Sequence, residues 1–299
     1  MGAWMVNEAW QPLLAALALG AARTLPLAWL VPALGGPRLP ASSRVALALL
    51  LSVLCLPVLL PVAATTFAAT GPVGAGLLLG RELLVGLTVG LCVACLFRAA
   101  EAAGRLVDVV RGANLSEVLA PLSEEGPSPL GDLYLLLAIV VFVELGGLRV
   151  FATALARSYE AVPVGLAANG GVALRSAAAL VTAAVGKLLE SALGLAAPVL
   201  VAMGLADAAL GVLGRAAPQL PLALAVMPAK ALLGLGAVLV GIGAVDAAFV
   251  AGFPAWTSLI ERSFAVWRAR LFLARRAGRF RAVRQLSKKE ACPSGPFVE

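Results

Sequence analysis

From Val45 to Gly80 the chain reads VALALLLSVLCLPVLLPVAATTFAATGPVGAGLLLG, thirty-odd residues without a single charge. A helix that spans the hydrocarbon core of a bilayer needs about 20 such residues. Outward from this stretch the pattern repeats. Apolar runs fall near 12–34, 45–70, 73–97, 130–156, 172–210 and 228–256. Over the whole 299 residues 61% are hydrophobic, 13% are charged, and the mean hydropathy is +0.98. Soluble domains are nearer half apolar and about a quarter charged, so one water-soluble core cannot account for this chain. In lipid only helices and closed barrels satisfy the backbone. Barrel strands alternate polar and apolar residues, whereas these runs are continuous in Leu, Ala, Val and Gly. The expected fold is therefore all-α: a polytopic membrane protein of about six to eight apolar helices. The opening MGAWMVNEAWQP has no positive n-region and carries Glu8, so it does not read as a cleaved signal peptide.

Charge is sharply partitioned. Up to Ile260 basic and acidic residues cancel, and the net +7 arises in ERSFAVWRARLFLARRAGRFRAVRQLSKKE and the few residues after it. Domains are accordingly assigned as 1–257, the helical membrane part, and 258–299, a basic tail. Ile260, Phe264, Trp267 and Leu271 recur at helical spacing, so the first half of the tail reads as an amphipathic helix. Such a segment acts as a cytoplasmic anchor on anionic lipid or as a docking surface for cytoplasmic partners. Nothing else in the chain supports nucleic-acid binding.

Inside the apolar runs, charges interrupt. Arg81-Glu82, Glu144, Arg149, Lys187, Glu190, Asp207, Lys230 and Asp246 all fall in or beside them. A charge at membrane depth costs at least a few kcal/mol unless it is paired or faces protein or water. Lys187 and Glu190, three apart, are expected to pair on one face. Glu144, Lys230 and Asp246 have no local partner, which points to helices surrounded by protein: a subunit of a larger assembly, or a transporter with a polar pathway. Pro26, Pro32, Pro57, Pro61, Pro198 and Pro228 are expected to kink or break helices. Gly86 and Gly90 form a GxxxG, and Gly234, Gly236, Gly241 and Gly243 crowd one run, both readings of close helix packing.

Chemistry is poorly represented. No His is present, which removes Ser-His-Asp and Cys-His catalysis and imidazole-ligated metal or haem. Cys92 and Cys95 form a CxxC without a second pair, and with Cys55 they read as small core hydrophobes. No catalytic residue, metal site or cofactor is expected. The glycine-rich run from Gly71 to Gly76 does not fit phosphate-binding spacing, and no repeat of fixed period is found. Asn114-Leu115-Ser116 matches a glycosylation sequon but carries no weight without a secretory signal. The longest polar connection, roughly Arg98 to Pro129, is read as helical to Arg111 and as a loop from Gly112. On composition it is either a plain connector or a functional loop.

Two blocks make the chain specific. The first runs from Gly80 to Gly165, GRELLVGLTVGLCVACLFRAAEAAGRLVDVVRG, a loop, then SPLGDLYLLLAIVVFVELGGLRVFATALARSYEAVPVG. The second, Ala196 to Lys230, is AAPVLVAMGLADAALGVLGRAAPQLPLALAVMPAK. Their order of Glu101 and Gly104, Gly112, Ser128-Pro129, Gly146-Gly147, Ser158-Tyr159, Pro163, Ala197-Pro198, Leu210-Gly211, Arg215, Pro218-Gln219, Pro228 and Lys230 resembles the T-type subunits of the type III secretion export gate. The flagellar members of that family are called FliR, and the resemblance covers about residues 10 to 256. Met227-Pro228-Ala229-Lys230 is closer to injectisome than to flagellar members. Two departures are Pro221-Leu222-Ala223, where the family usually has Asn and aromatic residues, and the long basic tail.

The resemblance implies a subunit without enzymatic turnover in the bacterial inner membrane. It implies assembly with the R and S subunits, contact with the U switch subunit and the large V subunit, and passage of unfolded protein substrates through a gate lifted partly out of the bilayer. It implies that the connection from Arg111 to Ser128, with Gly112, Asn114, Ser116 and Pro121, contributes to a plug. Gly112 would supply the bend, and Asn114 and Ser116 loop-holding hydrogen bonds. Glu101, Glu144, Arg215, Gln219, Lys230 and Asp246 are the expected assembly or buried polar contacts. Arg215 in particular is expected to satisfy helix-end carbonyls or a neighbouring subunit's carboxylate. The alternative reading is an ion-coupled secondary transporter using Glu144, Asp246 and Lys230.

Overall fold

The structure is a computed structural model, and it describes residues 2–36, 39–61, 71–112, 128–164, 170–216 and 230–261. The described residues are helical almost throughout. We label the helices α1 (Gly2–Leu30), α2 (Ala41–Leu54), α3 (Pro72–Arg111), α4 (Pro129–Glu144), α5 (Gly147–Ala161), α6 (Gly170–Ala216) and α7 (Lys230–Glu261). Four are long and apolar enough to cross a membrane, and α4 with α5 makes a fifth if the pair is one bent span. The chain is thus an all-α, multi-pass membrane protein by length and composition.

The axis of the fold is α3. Its 40 residues pack against α1, α4 and α6, and 72% of its most apolar stretch is buried. Glycine lets this happen. A Cβ on Gly86 would collide with the backbone of Arg23, whose Cα would lie at 2.9 Å, and one on Gly90 would stand 3.4 Å from Pro26 O. The GxxxG is therefore the seam between α1 and α3. Gly104 does the same for α4, whose Gly131 Cα would lie 2.7 Å from a Cβ there. The four crowded glycines in the first half of α7 divide. Gly234 faces Arg111 and Met203 and Gly241 faces Val199, whereas Gly236 and Gly243 face open space. Cys55, Cys92 and Cys95 are free thiols buried in the core, as their apolar setting implies.

The charge-free stretch that announces a membrane helix does not form one long helix. α2 stops at Leu54, Cys55 turns with φ −86° and ψ −3°, and helix resumes at 56 and runs to 61, the last described residue before 71. Pro57 is the physical reason. It has no N–H to give Val53 O, and its ring crowds that carbonyl. α2 is held to α1 instead by polar contacts, Thr24 Oγ1 lying 2.8 Å from Ala48 O and 2.9 Å from the Ser52 hydroxyl. The run 130–156 is also divided. α4 and α5 meet at 76° around Gly146, whose φ of 70° suits glycine.

The outermost helices leave apolar surface uncovered. Only 22% of the most apolar stretch of α6, and likewise of α7, is buried. With 47 residues α6 is about 70 Å long at the usual helical rise, more than twice the ~30 Å hydrocarbon thickness. Its Pro198 is accommodated inside the helix. The basic tail lies outside the described residues from 262 onward.

Candidate functional site

Two polar centres punctuate α3, 26 residues and therefore about 39 Å apart along the helix. The first is Asp108, in the last turns of α3 and without exposed surface. Its Oδ1 accepts from Arg111 Nε and pairs with Arg111 Nη2, both at 2.7 Å. Its Oδ2 accepts from Ser128 Oγ at 2.7 Å and from Leu130 N at 3.0 Å. A carboxylate offers about four acceptor positions, and four donors occupy these. Ser128 Oγ in turn accepts from Gly131 N at 3.1 Å, capping α4, whose Pro129 starts the helix without needing an N–H partner. On the other side Gly112, with φ 79°, ends α3 in the left-handed conformation.

The neighbouring helices bring more charge to this end. Arg111 packs beside Gly234 of α7. One turn earlier, Lys230 Nζ reaches Asp207 of α6 at 2.8 to 2.9 Å. Lys230, without a local partner in the sequence, thus finds one 23 residues away. Farther back on α3, buried Glu101 bonds Arg98 at 2.6 Å and Arg105 at 2.8 Å.

The expected site residues therefore separate. Arg111, Gly112 and Ser128 converge on Asp108, and Lys230 lies beside them. Asn114, Ser116, Pro121 and Gln219 fall outside the described residues. Arg215 stands exposed in the last turn of α6, where a cation suits the helix dipole. Glu144 is exposed at the α4–α5 elbow and Asp246 is half-buried on α7, and neither has a partner among the described residues. Lys187 and Glu190 do pair, at 2.8 Å.

The second centre is Arg23, which the motif reading passes over. It is buried together with Glu82, and the two form an ion pair in which Arg23 Nε donates to Glu82 Oε2 at 2.7 Å. Arg23 Nη1 also donates to Ser158 Oγ at 3.2 Å and Nη2 to Val162 O at 3.0 Å, and its guanidinium lies 4.0 Å from the centre of the Tyr159 ring. Arg81 Nη2 donates to Pro163 O at 3.2 Å. Two arginines, one from α1 and one from α3, thus take up carbonyls at the C-terminal end of α5 and hold that half-helix to the bundle. The available signal was a lone Arg in an otherwise apolar run, which needs a partner. Asp108 carried a weaker one, its i,i+3 spacing from Arg111.

At the far end of α7 an apolar cleft is lined by Cys92, Phe142, Phe151, Phe253 and Trp256 and bordered by the exposed pair Arg157–Glu261 at 2.5 Å. Phe142 stacks edge-on with Phe97 and with Phe253, at 5.1 and 5.9 Å. No group of three or more metal-ligating acidic or cysteine side chains occurs among the described residues.

Comparison with known proteins supplies what geometry alone does not. The chain is 34% identical over 154 residues to the Yop proteins translocation protein T of Yersinia pestis, 52% of this chain and 58% of that protein. It is 31% identical over 158 residues to the secretion system apparatus protein SsaT of Salmonella typhimurium, 53% and 60% of the two chains. The match to the flagellar biosynthetic protein FliR of Caulobacter vibrioides is 23% identical over 218 residues, 73% and 84%. The chain therefore spans about three fifths of the length of the first two relatives. These relatives are named as a translocation protein, a secretion system apparatus protein and a flagellar biosynthetic protein, and an ion-coupled transporter finds no support among them. The model of the bacterial export proteins, family 1, matches residues 14–255, nearly the whole helical part, and the chain belongs to that family.

Proposed function

We propose that this chain is the T-type subunit of a type III secretion export gate, in the bacterial inner membrane and of the injectisome kind. The family match over residues 14–255 carries the reading. The secretion-system relatives named above are 31% and 34% identical, the flagellar one 23%, which favours the injectisome. The bare faces of α6 and α7 support a subunit that is completed by others. On this reading the R and S subunits cover those faces, the U and V subunits adjoin the assembly, and unfolded protein substrates pass through it. The chain itself performs no chemistry and needs no cofactor. It contributes walls and a closure.

The closure is the connection 112–128, whose ends the structure holds at Asp108. Removing 113–125 from the chain, in cells carrying the rest of the apparatus, is expected to raise the resting leak of small solutes while the helical bundle still assembles. An unchanged membrane conductance in that variant contradicts the plug.

A further inference from the structure

α5 has two unlike faces. Gly147, Phe151, Leu155, Ser158 and Tyr159 recur at helical spacing and are buried against the bundle. Arg149, Thr153, Arg157 and Glu160 recur on the other side and are exposed, with exposed Ala152 and Ala156 among them. The depth of this polar face follows from the contacts of the buried one. Phe151 and Ala154 line a cleft with Cys92 and Leu96 of α3. Farther along, Arg23, paired with Glu82, holds Ser158 and Val162 O, and Arg81 reaches Pro163 O. α5 therefore lies along the charge-free part of α3, from Leu83 to Phe97. A charge at membrane depth is costly unless it is paired or faces protein or water. The Arg149 guanidinium has no partner among the described residues, and Arg157 and its partner Glu261 are both more than half exposed, at 56% and 61%. Lipid thus suits the exposed Leu136 and Val140 of α4 or Leu193 and Val201 of α6, but not the outer face of α5. We infer that this face is turned to water in the assembled gate and forms part of the wall of the path that substrates take. The inference rests on the reading of the chain as a gate subunit whose apolar α6 and α7 faces are covered by its neighbours, and adds which face is the wall. Arg and Thr side chains there donate to backbone carbonyls, which every unfolded chain carries whatever its sequence.

Single cysteines read the surroundings of each face. Cys55, Cys92 and Cys95 are buried, so the test starts from the full chain with Cys292→Ser. It adds Thr153→Cys or Ala156→Cys on α5, and Val201→Cys on the exposed apolar face of α6 for comparison. The Thr153 hydroxyl bonds Val150 O within its own helix and Ala156 is exposed, so neither exchange disturbs the packing. Each variant is placed in the full apparatus, in cells permeabilised so that a charged, lipid-insoluble maleimide reaches both sides of the membrane. Labelling is measured with the apparatus idle and again with an export substrate stalled in passage by a fused folded domain. The expected result is labelling of both α5 cysteines in the idle apparatus, none at Val201→Cys, and loss of the α5 labelling on stalling. Labelling at α5 that stalling leaves unchanged overturns the inference, because the face then meets water outside the path. Absence of labelling at both α5 positions in an assembled complex overturns it too, the face then being covered by a neighbouring subunit or lipid. Equal labelling of Val201→Cys removes the contrast between the faces and has the same consequence. Failure of the Cys292→Ser parent to co-purify with the R and S subunits counts against the gate assignment instead.

Discussion

Arg23→Ala is expected to lower stability by about 3–5 kcal/mol, because removing one partner of a buried pair strands the other charge. The stranded charge is Glu82, which has no exposed surface and whose second carboxylate oxygen already lacks a partner. Ser158 Oγ and Val162 O lose their donor at the same time. Against a total folding stability of about 5–15 kcal/mol, such a loss should appear as a sharp fall in membrane abundance and in the midpoint of thermal unfolding in detergent. The double variant Arg23→Leu with Glu82→Leu removes both charges and should recover much of the loss, since apolar replacements of buried pairs are often tolerated. If the single and double variants unfold at the same temperature as the parent, the pair contributes nothing and α5 is held by something else.

Gly104→Val should act as strongly by a different route. Its Cβ would meet the Leu130 carbonyl and the Gly131 Cα, which are backbone atoms and cannot turn aside. Either α4 moves away from α3, costing the Asp108–Leu130 hydrogen bond and adjacent packing, or the helix pair does not form. Overpacking against side chains typically costs about 1–3 kcal/mol, and against backbone the upper end or beyond is expected. Gly86→Val should behave alike at the α1–α3 seam. Gly80→Ala, on the same helix but facing open space, is the control: alanine in place of an exposed helical glycine should stabilise by about 0.5–1 kcal/mol. Opposite signs at positions 80 and 104, read by thermal unfolding, separate close packing from helix propensity. Equal signs refute the packing account.

The parts legible in the sequence are those set by local chemistry. Continuous apolar runs fixed helices and a membrane setting. Gly112 and Ser128-Pro129 marked the end of one helix and the start of another, and the structure ends α3 and starts α4 there. The GxxxG of Gly86 and Gly90 pointed to a close seam, though not to which helix it faces. Lys187–Glu190 paired as their spacing implies. The break after Leu54 falls beside Pro57, one of the prolines expected to interrupt a helix. The run 130–156 bent at Gly146, although Gly146-Gly147 was in view as a motif.

The polar centres were harder because their partners lie far away in sequence. Arg23 and Glu82 are 59 residues apart, Asp108 and Ser128 20, Asp207 and Lys230 23. Each is a charge in or beside an apolar helix, so the need for a partner is readable. The identity of the partner depends on which helices pack side by side, and no local pattern encodes that. Resemblance to an export-gate family pointed to the connection 112–128 but not to the carboxylate that joins its ends.

The central claim is that this helical bundle is one subunit of a secretion gate. The most direct measurement is co-expression with the R and S subunits, affinity capture through this chain, and native mass spectrometry of what is retained. The account predicts a discrete hetero-oligomer of fixed mass containing all three proteins. A monodisperse monomer or homodimer that leaves both neighbours behind would contradict it.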